Sequence, residues 1–140
     1  MQYKKFGDAY VVRIDLNEVI IQSLKALCEK EDIRLAQVDA IGAANHAVMG
    51  VYDLEKQAYH REELNGFMEI TSLSGNVTRM NGEAYLHLHG TLADQNHALH
   101  GGHVIEMTVG ATCEMFVRPL AGEVSRVRDQ ALGINLIDLP

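Results

Sequence analysis

The dipeptide Asn81-Gly82 restricts what this chain can fold into more than any other pair of its residues. It sits between two short β-rich runs, 77–80 and 84–88. Asn-Gly in that setting is a strong signal for a type I′ hairpin turn, whose two central residues both need φ > 0. A hairpin fixes register, and register decides which side chains share a face. On the second arm, His87 and His89 are two residues apart. In a strand they point the same way, about 6.6–7 Å apart along the chain. His103 follows Gly101-Gly102, a pair that lets the backbone bend and approach a neighbour closely. A third imidazole can therefore come from an adjacent strand. Three neutral imidazoles with an open fourth position are a recurrent zinc arrangement. The same spacing also suits a solvated strand face, because histidine is neither firmly buried nor firmly exposed. His97 and His100 lie in a polar loop, 94–100, and are weaker ligand candidates, since exposed loop histidines are ordinary.

The remaining chain reads as more short strands and a single helix. Residues 10–14 form the first strand. Asp15 and Glu18 then have the spacing of a capping box, ahead of an apolar stripe of Leu16, Ile20, Leu24 and Leu27. Lys25 and Lys30 fall toward the C-terminal end of this helix, where positive charge suits the dipole. Residues 35–41 alternate as a strand, Gly42 interrupts it as a bulge or close approach, and 47–52 resume it. A polar turn at 53–56 leads to a return arm at 58–64, whose neighbours Glu62 and Glu63 face opposite sides of a strand. Residues 66–74 form another strand, which contains Glu69 and is broken by Gly75-Asn76. Two further strands, 104–109 and 112–117, flank Gly110. The tail, 123–140, carries Arg126 and Arg128, then Ile134, Leu136, Ile137 and Leu139, and reads as a final edge strand. The expected fold is α+β: a largely antiparallel β-sheet of about seven or eight strands packed with one main α-helix, in a single domain over 1–140.

Composition excludes several function classes. The net charge of -7 opposes non-specific phosphate binding, which needs a basic patch, and Lys and Arg do not cluster. Cys28 and Cys113 are far apart and neither belongs to a C-x-x-C pair, so buried thiols are expected. The opening MQYKKFGDAY has no apolar signal region, and no run approaches membrane-spanning length, so a cytoplasmic protein is expected.

Four blocks occur in order: IGAANHAVMGVYD (41–53), GFMEITSLSGNV (66–77), YLHLHGTLAD (85–94) and GGHVIEMTVGATCEMFV (101–117). Together they resemble the PPC domain family, also called DUF296, which is joined to AT-hooks in plant nuclear proteins and stands alone in bacteria and archaea. The resemblance runs from about Tyr10 to Leu120. It implies an antiparallel sheet packed with helix, a homotrimer, and a metal, zinc, on the histidines of the H-x-H and G-G-H blocks: His87, His89 and His103. The fourth position would hold water or a small ligand. The R-G-R-P hook by which plant members read A·T-rich DNA does not occur in this sequence, so the DNA-binding role of the family transfers poorly.

Three functions compete at this point. One is a homotrimeric metal-binding domain that binds or processes a small molecule, with Glu69 and Glu106 as candidate general base or outer-shell partners. The bland alternative for both is a strand carboxylate bonded to its neighbours. The second is a DNA-associated regulator without an AT-hook. The third is a trimeric platform whose histidines are incidental. Asn45 and His46 fit either a site role or a polar pair on a strand. Nothing in the sequence names a substrate or a reaction.

Overall fold

The computed structural model describes residues 1–139. In chain order its elements are β1 (Gln2–Phe6), β2 (Ala9–Asp15), α1 (Ile20–Lys30), β3 (Ala36–Asp53), β4 (Ala58–Met80), β5 (Glu83–Ala93), β6 (Leu99–Pro119), β7 (Arg126–Asp129) and β8 (Ile134–Ile137). The six longer-range strands form one sheet in the order β1-β2-β6-β3-β4-β5, and β5 also pairs with β6. Strands β3 to β6 thereby close on themselves, which leaves that part of the sheet without a free edge. All of these strand pairings are antiparallel. The fold is thus mostly antiparallel β with one short helix. The α+β description overweights the helix, which has only 11 residues.

Asn81 and Gly82 take φ of 53° and 83° and set Met80 opposite Glu83, as a type I′ turn requires. The interior is filled from one face of each strand and from α1. Ile14, Ile20, Leu24, Leu27, Leu73, Leu88, Leu92 and Met107 are among its fully buried side chains. Each contributes about 1.5–3 kcal/mol of transfer free energy relative to exposure. Cys28 and Cys113 are both buried thiols, pushed up to about 12 by burial.

Several local expectations are corrected. QYKKF is a strand, β1, which turns at Gly7 (φ 57°) and pairs with β2. The Asp15 amide does donate to Glu18 (2.8 Å), but this pair closes a turn before the helix, which starts at Ile20. Leu16 is accordingly exposed rather than part of the apolar stripe. Gly75-Asn76 does not break β4. A side chain at Gly75 would collide with the His87 backbone, so glycine here lets β4 and β5 lie close. The runs 104–109 and 112–117 are one strand, with a register shift opposite Gly42–Ala44. The tail is a two-stranded hairpin, β7–β8, rather than a single edge strand. Pro140, included in that expected strand, lies outside the described residues. Among the described residues, no helix is long and apolar enough to cross a membrane.

Candidate metal centre

Leu88 and Val104 point into the core, so their neighbours on β5 and β6 project outward, away from it. His87 and His89 leave β5 on that outer side. His103 stands on β6 directly across from His89 in the strand register. Gly102 makes the approach possible: its φ of 155° and the Gly50 carbonyl, 2.7 Å from where a Cβ would stand, leave no room for a side chain. The ring centroids are 5.1 Å apart for His87 and His89, 5.3 Å for His87 and His103, and 5.5 Å for His89 and His103. One ligand nitrogen from each ring falls within 4.8 Å of the other two.

The donor set suits a metal ion. Ligand imidazoles must be neutral. Burial, then the charges of Arg126 and His89, lowers His87 from its ordinary value. Burial, then His87 and His89, takes His103 down to about 4. Nδ1 of His103 is also buried without a hydrogen-bond partner among the described residues. Such an orphan costs about 1–3 kcal/mol unless something satisfies it. Three imidazoles with room for a further ligand form a donor set used by several first-row divalent metals, zinc among them.

The three histidines line a cavity of about 500 Å³ between the closed sheet and the β7–β8 hairpin. Tyr52, Tyr59, Tyr85 and Ile134 supply its apolar walls. Tyr59 stacks on His103 with ring centroids 4.9 Å apart. The hairpin is tied down at several points. The Tyr52 hydroxyl donates to the carbonyls of Leu132 (3.0 Å) and Gly133 (2.9 Å). Arg126 Nη1 donates to the Asn135 carbonyl (2.8 Å), Nε to Thr78 (2.8 Å), and Nη2 to Asn76 (2.9 Å) while lying 3.5 Å from His87 Nδ1. Burial lowers the Arg126 guanidinium from its ordinary value.

The other singled-out residues lie elsewhere. Glu69 is exposed and borders a separate depression with Ile41, Thr112 and Glu114. Glu106 is exposed and faces His46 Nδ1 at 3.6 Å. Neither lines the histidine cavity. His97 sits at an exposed turn with φ 62°. His100 lies between Glu62 (3.8 Å) and Asp94 (3.4 Å). Asn45 donates to Asn17 (3.2 Å). Sequence reasoning passed over Arg126 and Tyr59 as site residues. The available signal was the R-V-R spacing of the tail, which sets Arg126 and Arg128 on one face of a strand.

Fold and site together define a small antiparallel β-domain with a histidine-lined cavity. The profile of the Plants and Prokaryotes Conserved domain matches residues 1–121, and the chain belongs to that family. A candidate DNA-binding protein from Bacteroides thetaiotaomicron has 30% identity and a TM-score of 0.95, over 98% of this chain and 96% of its own. A metal-containing protein from Archaeoglobus fulgidus has 33% identity and a TM-score of 0.89, over 99% of each chain. A plant- and prokaryote-conserved (PPC) protein from Pyrococcus horikoshii has 27% identity and a TM-score of 0.88, over 99% of this chain and 96% of its own. No curated protein matches the chain.

Proposed function

We propose that this chain is a single-domain, homotrimeric, cytoplasmic protein that holds zinc on His87, His89 and His103 and binds a small molecule beside it. The observation that carries the reading is the convergence of three imidazole nitrogens within 4.8 Å at the wall of a cavity. The metal content of the Archaeoglobus relative supports it. A zinc ion there would supply a Lewis acid whose bound water ionises near pH 7. The chain's own residues would keep the imidazoles neutral, hold them in register and wall off solvent. For the trimer, Val11 and its cross-strand partner Phe116 are exposed on one outer face, with Ile41 exposed nearby on β3. Apolar residues grouped in this way mark interaction surfaces. Native mass spectrometry of the untagged chain after incubation with zinc tests both parts. A trimer carrying one zinc per chain is the expected species; a metal-free monomer contradicts the reading.

A second reading, a DNA-associated regulatory protein, has in its favour the Bacteroides relative described as a candidate DNA-binding protein. The net charge of -7 weighs against it. Absence of binding to duplex DNA even at low salt would retire it.

A further inference from the structure

The chain carries 19 acidic residues against 12 Lys and Arg, yet the histidine cavity is lined by two arginines and no acid. Arg126 is half-buried there. Its acceptors are a hydroxyl, an amide oxygen and a backbone carbonyl, all neutral, and His87 Nδ1 lies 3.5 Å away. Its guanidinium also lies over the Tyr85 ring, 4.7 Å from the centroid. Among the described residues no carboxylate comes within 4.0 Å of Arg126 or Arg128. Exposed Arg128 stands two residues along the same strand and also lines the cavity.

A partly buried cation without a counter-ion is costly, and tethering the β7–β8 hairpin does not explain it, because a neutral side chain could accomplish that. Adding a divalent ion on the adjacent histidines would increase the imbalance. The cavity thus has a deficit of negative charge that an anionic ligand would make up.

We propose that the cavity takes a small monocarboxylate with a short apolar body, its carboxylate held by Arg126 on the open side of the three-histidine cluster. This rests on the metal reading above and names the ligand class of the same site. The guanidinium has five donors. Three are committed to neutral oxygens at 2.8–2.9 Å, which holds the group in place and leaves few for the ligand. That matches the two oxygens of a carboxylate better than the three of a phosphate group. Tyr52, Tyr59 and Ile134 offer walls for the apolar body. Arg126 on β7 and Ile134 on β8 come from beyond residue 121, past the stretch matched by the family profile.

The proposal predicts effects of opposite sign at one residue. Arg126 repels the metal and attracts the carboxylate. Arg126→Gln should therefore bind zinc at least as tightly as the unmodified chain while losing carboxylate affinity by about tenfold or more, the loss expected of a charge-assisted hydrogen-bond pair. The experiment loads the untagged chain with zinc, measures its metal content, and titrates it by calorimetry with benzoate, neutral benzamide and inorganic phosphate. Saturable binding of benzoate, none of benzamide at the same concentration, and weaker binding of phosphate are expected. These arms need no variant, so they stand even if Arg126→Gln fails to fold. Equal binding of benzamide, tighter binding of phosphate, or undiminished benzoate affinity in Arg126→Gln would overturn the assignment. A chain that takes up no zinc would sink the metal reading and this one with it. A zinc-loaded chain indifferent to benzoate would sink only this one.

Discussion

Histidine plays opposite parts in two regions of this molecule. On the outer surface, His46 lies 3.3 Å from Glu63 and 3.6 Å from Glu106, and His100 lies 3.4 Å from Asp94 and 3.8 Å from Glu62. Each of these rings has a carboxylate near each of its nitrogens. At the cavity, His87, His89 and His103 face one another, tyrosine and a guanidinium, with no acid among the lining residues. Burial and positive neighbours lower His87 and His103 from their ordinary value. Neutral imidazole is a metal ligand and imidazolium is not. The two groups of histidines in this fold thus differ in the charge around them.

Removing a cavity histidine should break the contrast most severely. His89→Ala or His103→Ala takes away one of the three candidate ligands. Zinc affinity should fall by more than about 100-fold, the upper cost of losing a mere outer-shell partner. Competition with a chromophoric chelator measures this. Stripping the metal from the unmodified chain acts on stability. At free zinc about 100 times Kd, bound metal contributes about 2.7 kcal/mol, so chelation should lower Tm by on the order of 10 °C. An unchanged melting curve would argue that the histidines are incidental.

Gly75→Ala tests the backbone under the site. Its methyl would meet the His87 carbonyl, so β4 and β5 must part. A loss of about 1–3 kcal/mol in urea unfolding is expected, with weaker zinc binding alongside. The asymmetry of charge should also appear as a pH dependence of the metal-free protein. His103 titrates near 4 when folded against an ordinary value of 6.5, and His87 is displaced in the same direction. Between those values the unfolded chain binds more protons than the folded one, so stability falls as pH drops from about 6.5 toward 4. His103→Ala should show a shallower fall across that window. The smallest effect belongs to the outer surface: His46→Ala should change stability by no more than about 1 kcal/mol, as exposed ion pairs do, and leave zinc binding untouched.

The parts of this architecture legible in the sequence are those dictated locally. Asn81-Gly82 determines its own turn, the turn sets the register, and the register aims His87 and His89. Gly102 announces a close approach that the Gly50 carbonyl then explains. Elements dictated by distant partners were harder to read. β1 is short and carries two lysines, and it is a strand because β2 offers it an edge. Gly75 resembles a strand break in isolation and serves instead to bring two strands together. Arg126 looks like a surface arginine until the β7–β8 hairpin folds over the histidines and turns it inward. Glu69 and Glu106 are carboxylates near the motif in sequence, but in the fold Glu69 borders a separate depression and Glu106 faces His46.

Whether His87, His89 and His103 hold a metal ion decides how this mostly β-domain works. The most direct test is the metal content of the untagged chain, purified without chelator and measured by inductively coupled plasma mass spectrometry. About one zinc per chain is expected. Metal-free protein that stays metal-free after incubation with zinc would contradict it.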